Sequence, residues 1–245
     1  MVRRIHLCRL IPERLGNLVM TNHLIACVIS VVLGAAPALH ADEISYNAGM
    51  DYTSNYVSNG VTQTNGKPTL QAFVEAKLNG FYAGTWISGV DFGNGDELEV
   101  DLYLGFRTTF ENDLFLDVGY AQYLYDDTGN CCGEFKLTGA YPILEDLGLV
   151  GYVAYNPKSG DFNKSVTLAY AFNDQFGISG KYGKTDFNDN EYWQVGASMA
   201  FTEIISGGVV YHGAETGDEG LVFTLSLATD QSNFARLLTN PFGGN

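Results

Sequence analysis

The sequence predicts an all-β protein, namely an antiparallel up-and-down transmembrane β-barrel of about twelve strands. Three observations predict this fold. Apolar residues recur at every second position from residue 45 onward, short turns alternate with longer polar loops, and aromatic residues gather toward the ends of the predicted strands. A period of two is typical of a strand with one apolar face, and the other two features are typical of barrels that close within a membrane.

Composition excludes several other classes of protein. The 245-residue chain carries 13 Lys and Arg against 28 Asp and Glu, a formal charge of −15, whereas a nucleic-acid binder that depends on bulk electrostatics needs the opposite sign. With 46% hydrophobic residues, the chain is too apolar to be intrinsically disordered. Its mean hydropathy of −0.02 argues against a polytopic helical membrane protein, in which each span needs about 20 consecutive apolar residues.

Residues 1–41 are predicted to be a signal peptide that is cleaved near Ala41. They begin with four arginines, continue with an apolar core from Leu24 to Leu33 and end in small residues. Cleavage would leave 9 Lys and Arg against 27 Asp and Glu, about −18 in formal charge. His212 would be the one remaining histidine, and Cys131 and Cys132 the remaining cysteines.

The adjacent cysteines leave three states open. Cys131 and Cys132 could form a ring disulfide, pair between molecules or stay reduced. A metal site needs more ligands than two neighbouring thiols, and the sequence offers no histidine near them. We therefore predict no metal site, and no nucleotide-binding glycine motif indicates another cofactor.

The predicted barrel occupies residues 42–228 and is followed by a polar tail, residues 229–245. Its clearest strand alternates Leu98, Val100, Leu102, Leu104 and Phe106 with polar or small residues. The count falls to ten if the segments 133–141 and 147–155, or the last two, are miscounted. The predicted strands are 45–58, 68–78, 81–90, 97–107, 114–125, 133–141, 147–155, 164–172, 176–184, 192–201, 205–212 and 220–228.

The links between these strands alternate in character. The longer ones are rich in Gly, Asn and Asp and comprise 59–67, 91–96, 126–132, 156–163, 185–191 and 213–219. The shorter ones comprise 79–80, 108–113, 142–146, 173–175 and 202–204, and the first of them, Asn79-Gly80, is a strong two-residue hairpin signal. Long loops at one end and tight turns at the other are typical of an outer-membrane barrel.

A soluble β-sandwich shows the same alternation and is the structural alternative, because the pattern alone does not say which face is inside. Two further features favour the membrane barrel. Tyr and Phe near strand ends are arranged as interfacial girdles would be. Small residues on the polar face would leave space in a lumen, and they include Gly177, Ser179, Gly183, Gly196, Ser198, Ala200, Ser206 and Gly208.

Two segments also resemble a known family. Residues 53–68 (TSNYVSNGVTQTNGKP) and 80–92 (GFYAGTWISGVDF), followed by Glu99, Asp101 and Tyr103, are similar to the TorF-type family of proteobacterial outer-membrane barrels, long catalogued as of unknown function. The resemblance implies an outer-membrane β-barrel of porin type and brings no established substrate with it. This chain departs from the family at Ser58-Asn59, where members commonly carry an aromatic residue and Arg, and in its polar tail.

If the apolar set faces lipid, residues of the opposite parity face the lumen. Arg107 would lie near the periplasmic rim, and the outer loops hold eleven acidic residues against Lys67 and Lys158. We therefore expect a channel for the passive passage of small hydrophilic solutes or ions, with a preference for cations. The candidate pore-lining residues are Asp51, Glu75, Lys77, Glu99, Asp101, Asp117, Lys136 and Lys181.

Other functions stay open. The charges could pair and plug the lumen, which would leave a structural or adhesive barrel with exposed acidic loops at 186–191 and 215–219. An outer-membrane lipid hydrolase needs a serine and a histidine on the lipid-facing surface, and the sole candidate base is His212, so we predict no catalytic residues and no enzyme. The expected location is the outer membrane of a Gram-negative bacterium. The expected partners are membrane lipid, lipopolysaccharide and small solutes, with no nucleic acid.

Overall fold

The computed structural model describes residues 43–229, so the predicted signal peptide and residues 230–245 of the predicted tail lie outside the described residues. Within the described range no helix has the length and apolar character needed to cross a bilayer. The elements are β1 (Ser45–Thr53), β2 (Val57–Ser58), β3 (Val61–Thr62), β4 (Thr69–Leu78), β5 (Phe81–Gly89), β6 (Leu98–Thr109), β7 (Phe115–Tyr125), β8 (Gly129–Leu144), β9 (Leu147–Tyr155), β10 (Phe162–Ala171), β11 (Phe176–Thr185), a single-turn 3-10 helix (Phe187–Asp189), β12 (Asn190–Ala200), β13 (Ile205–Ala214) and β14 (Gly220–Ala228).

Twelve of these strands, β1 and β4 to β14, close a barrel in which each strand pairs antiparallel with its neighbour along the chain. The ring closes because β1 pairs on one side with β4 and on the other with β14. The prediction of an antiparallel barrel with twelve strands is confirmed, and the count of ten is excluded. Strands β2 and β3 pair with each other in a separate two-stranded sheet.

The two ends of the barrel differ. The turn end carries the start of β1, the end of β14 and the connections 79–80, 110–114, 145–146, 172–175 and 201–204. The loop end carries the connections 54–68, 90–97, 126–128, 156–161, 186–189 and 215–219. Asn79 and Gly80 form the predicted two-residue hairpin with φ angles of 52° and 85°, the left-handed conformation that this tight turn requires.

The apolar face of the sheet points outward and the polar face inward. Phe81 is 65% exposed and Leu104 60% exposed, whereas Asp101 is 1% exposed and Ser88 fully buried. A soluble sandwich or soluble barrel would bury the apolar set, so the alternative fold is wrong. An exposed apolar belt around a polar interior is the arrangement that a lipid environment stabilises.

Most predicted strand boundaries lie within two residues of the observed ones, but two strands differ by more. The first strand was expected to reach residue 58 but ends at Thr53, because Asn55 accepts hydrogen bonds from Thr62 and Thr64 and folds the following residues into a loop. The segment expected at 133–141 runs as Gly129–Leu144. A register shift opposite Tyr123 and Leu124, where Cys131 is the extra residue, lets residues 129–132 continue the ladder.

Two tyrosine side chains lie against glycines inside the barrel. The Tyr82 side chain covers Gly105, and the Tyr103 side chain covers Gly84. A Cβ at either glycine would collide with the tyrosine ring or hydroxyl, so these positions need glycine for close approach. The two rings therefore occupy interior space beside strands β4 to β7.

The outward apolar face predicts the effect of a charge at mid-barrel. Leu104→Arg places a guanidinium against lipid and should lower the free energy of unfolding by about 2–4 kcal/mol, whereas Leu104→Met should change it by less than about 1.5 kcal/mol. Urea unfolding of the folded barrel in lipid vesicles, with the gel shift on boiling as the folding check, measures both. A Leu104→Arg protein as stable as wild type would contradict a lipid-facing position.

Candidate functional site

All eight candidate pore residues have the inward-facing parity in the structure. Asp51, Glu75, Glu99 and Asp101 are buried, with exposures of 8%, 6%, 5% and 1%. The other four, Lys77, Asp117, Lys136 and Lys181, are partly exposed. The structure gathers them into a network at the turn end and a second group toward the loop end, while Asp51 and Lys181 lie on other strands of the wall.

Arg107 is the centre of the turn-end network. Its two terminal nitrogens contact both carboxylate oxygens of Glu75 at 3.1 and 2.9 Å, and its Nε lies 3.3 Å from Asp117 Oδ2. The Tyr82 hydroxyl donates to Asp117 Oδ1 at 2.6 Å, and the guanidinium lies 3.8 Å from the centre of the Tyr82 ring. One cation thus holds two carboxylates and stacks on an aromatic face, a combination suited to arginine.

Carboxylates outnumber cations toward the loop end. The Tyr125 hydroxyl donates to Glu99 Oε1 at 2.9 Å, and the Tyr123 hydroxyl donates to Glu134 Oε2 at 2.7 Å. Lys136 lies 5.4 Å from the centre of the Tyr123 ring and attracts Glu99 electrostatically. Glu134 was absent from the sequence-based candidates, although it shares the parity of Lys136 on the same strand.

The wall formed by β10 to β14 is mostly small and uncharged. Inward-facing residues there include Thr167, Ser179, Gly183, Gly196, Ser198, Ser206, Gly208 and Ser226. His212 also lies on this wall, is 2% exposed and hydrogen-bonds to the backbone of Asp218. A buried, inward-facing His212 lacks the outward orientation that a lipid hydrolase would need.

The loop of residues 54–68, which we call the strap, crosses the loop end of the barrel. It leaves β1 and returns into the neighbouring β4, while its tip reaches strands on the far side of the ring. Asn163 of β10 donates to the side-chain oxygen of Asn59 at 2.8 Å, and Asn190 of β12 donates to the Asn59 carbonyl at 3.0 Å. These two bonds join segments 104 and 131 residues apart.

The strap tip is also bound to the loop that precedes β14. The Asp218 amide donates to the Gly60 carbonyl at 3.0 Å, and the Thr62 amide donates to Asp218 Oδ2 at 3.2 Å. Gly60 has a φ of 79°, and a Cβ there would collide with Ala214 and Tyr192. The tip therefore fits closely against the far wall.

At its near side, the strap inserts Tyr56 into the barrel. Tyr56 is 6% exposed and packs edge-on against Trp86 with ring centres 5.5 Å apart, while its hydroxyl interacts with Glu99. Outside, Lys67 pairs with Asp91 at 2.6 Å; this bond raises the pKa of Lys67 and lowers that of Asp91. The sequence prediction missed the strap, because the Asn, Gly and Thr composition indicates a loop without indicating what it binds.

The remaining chemical groups are few. Cys131 and Cys132 form a disulfide bond with each other, the first of the three states that the sequence left open. Lys158 donates to the Cys131 carbonyl at 2.6 Å. Between residues 43 and 229, no group of three or more His, Cys, Asp or Glu side chains is placed to hold a metal ion.

Comparison with known proteins identifies a family and a fold. The Gcw_chp profile, described as a bacterial protein of unknown function, matches residues 35–238, while no curated protein matches the chain significantly. A structure described as "KdgM porin" matches with a TM-score of 0.57 at 10% sequence identity. The match covers 74% of this chain and 97% of the porin chain. A second structure, "KdgM porin in complex with disordered oligogalacturonate", matches with a TM-score of 0.55 at 8% sequence identity. This match covers 75% of this chain and 96% of the porin chain. At these identities the likeness concerns the fold, which is that of outer-membrane porins.

The turn-end network predicts a large cost for removing its cation. Arg107→Met leaves the Glu75 carboxylate, whose side chain is 7% exposed, without a partner and should lower the free energy of unfolding by about 3 kcal/mol. Adding Glu75→Gln should recover much of the loss. Lys67→Met breaks an exposed pair and serves as the control, with a cost below about 1 kcal/mol. Urea unfolding in vesicles measures all three, and equal stability of the Arg107→Met and Lys67→Met proteins would contradict this role.

Proposed function

We propose that this chain, which belongs to the Gcw_chp family of bacterial proteins of unknown function, is a narrow outer-membrane channel for the passive passage of small hydrophilic solutes or ions. The observation that carries the proposal is the distribution of polarity in the barrel. Apolar residues cover its outer surface, and charged and hydroxyl-bearing residues line its interior. A closed barrel satisfies every backbone hydrogen bond within the sheet, so it spans lipid without exposed edges. A polar interior then offers solutes an alternative to the hydrocarbon layer.

The orientation follows from the two barrel ends. The turn end, where β1 begins and β14 ends, faces the periplasm, and the loop end faces the cell surface, as in bacterial barrels with short periplasmic turns. This placement assumes that residues 1–41 direct export and are removed. The acidic surface loops would then lie beside lipopolysaccharide, where divalent cations bridge like charges.

The interior charges favour cations over anions. Glu99, Asp101 and Glu134 lie toward the loop end, where Lys136 attracts Glu99 and Lys181 faces inward from β11. Arg107 is already shared between two carboxylates at the turn end. Charges that line a narrow passage act at short range and are screened less than charges in open water. A cation entering from the loop end is therefore stabilised, and an anion is repelled.

The same argument limits the kind of solute. One similar structure is described as a complex with oligogalacturonate, which carries a carboxylate on each sugar. Such a polyanion would meet the acidic surplus of this interior and be repelled. We propose that the solutes here are neutral or cationic.

A test of the channel is conductance of the refolded protein in planar bilayers under a salt gradient. Wild type should show discrete steps and a reversal potential on the cation side. Glu99→Gln with Asp101→Asn should move that potential toward zero, and Glu99→Lys with Asp101→Lys should move it toward anions, because the interior loses or inverts its acidic surplus. Glu145→Gln with Asp146→Asn removes the same charge at an exposed turn and should leave selectivity close to that of wild type.

The outcome also separates the alternatives. Folded protein without any conductance would rule out the channel and leave a barrel with a filled lumen that acts in structure or adhesion through its loops. That second function is favoured by one observation, the burial of the interior carboxylates beneath the strap. A non-catalytic barrel also agrees with the inward position of His212.

A further inference from the structure

We propose that the strap is the size filter of this channel, so that it holds the loop end narrow and excludes solutes that could otherwise enter the barrel. The inference deepens the proposed channel function and rests on it. It starts from the position of the strap, which joins neighbouring strands at its base and contacts the opposite wall at its tip.

The near half of the strap is fixed inside the barrel. A tyrosine on a free surface loop would be exposed, but Tyr56 is 6% exposed and packs with Trp86 and Val90. Its hydroxyl interacts electrostatically with Glu99, so the strap also neighbours one of the carboxylates that we assign to selectivity. Size and charge would thus be selected at the same level of the channel.

The far half is fixed by bonds that specify both its position and its orientation. Asn59 accepts one bond on its side chain and one on its backbone, from two different strands. Gly60 adds a bond from Asp218 and a fit against Ala214 and Tyr192 that leaves no space for a Cβ. Because these contacts are distant in sequence, they are not the ordinary local packing of a surface loop.

The strap is internally braced between these two attachments. Asn55 Oδ1 accepts from the Thr62 hydroxyl at 2.6 Å. The Thr64 hydroxyl lies within hydrogen-bond distance of two acceptors that share its one hydrogen, Asn55 Oδ1 at 2.9 Å and the Lys67 carbonyl at 2.7 Å. A segment attached at both sides and braced in the middle moves less than a free loop of the same length. It can therefore define a fixed opening.

The first experiment removes the crossing without changing the barrel wall. Residues 56–66 are replaced by a short Gly-Ser linker that joins β1 to β4, and conductance is measured with polyethylene glycols of graded size, together with sugar uptake by liposomes. The strapless protein should show at least a twofold larger conductance and admit larger sugars than wild type. The matched control replaces residues 157–160 of another surface loop by Gly-Ser and should keep the wild-type size limit.

A second experiment fixes the strap in place. Asn59→Cys and Asn163→Cys, in a background with Cys131→Ser and Cys132→Ser, are joined by a short reducible bifunctional thiol reagent. Efficient linkage should leave the size limit at the wild-type value before and after reduction. Failure to link in a folded barrel would mean that the tip is elsewhere, and the inference would be overturned.

The outcomes separate this inference from the channel function, with the gel shift on boiling as the check that each variant is folded. Equal size limits for wild type and the strapless protein would overturn the filter and leave the channel intact. Conductance in the strapless protein alone would overturn both proposals for the wild-type protein, because the strap would then close the barrel instead of filtering solutes by size. No conductance in either protein would overturn both proposals.

Discussion

The hydrogen-bonded pairing of β1 with β14 is the constraint on which the rest of this structure depends. It joins the first and last strands of the barrel from Gly49 opposite Ala228 to Thr53 opposite Thr224. Without it, two strand edges would present unpaired amides and carbonyls to hydrocarbon, at a cost of several kcal/mol for each group. Once the ring is closed, a strand has one face toward lipid and one toward the interior, and the period of two assigns each residue to one of them.

A closed ring of twelve strands encloses a narrow interior, and this makes its charges interdependent. At the turn end, Arg107 offsets Glu75 and Asp117 together. Toward the loop end, Lys136 attracts Glu99, while Asp101 and Glu134 add two further inward carboxylates, so the acidic surplus is not spread evenly along the axis. The surplus lies on the side that also carries the strap.

The sequence alone predicts the barrel because the signals for this fold lie within single strands and turns. The alternation from Leu98 to Phe106 and the Asn79-Gly80 turn each act within one strand or hairpin, and both are confirmed. The alternation also predicts which charged residues face the interior, although it stays a proposal that they line a pore. The sequence does not predict the strap, because the contact between Asn59 and Asn163 joins residues 104 positions apart and no periodicity encodes it. In addition, aromatic residues at Tyr52 and Tyr56 continue the alternation past Thr53, where the first strand ends.

The contrast between the two walls explains why the strap can cross at all. Large inward side chains such as Trp86 and Tyr103 fill the space beside β4 to β7, and the small residues of β10 to β14 leave room opposite. The tip enters where Gly60 meets Ala214, and Tyr56 joins the aromatic group on the bulky side. The number of strands sets the diameter of the barrel, whereas the strap and the side chains that it contacts set how much of the opening stays free. Barrels of equal strand number can therefore differ in what they admit without any change in the sheet.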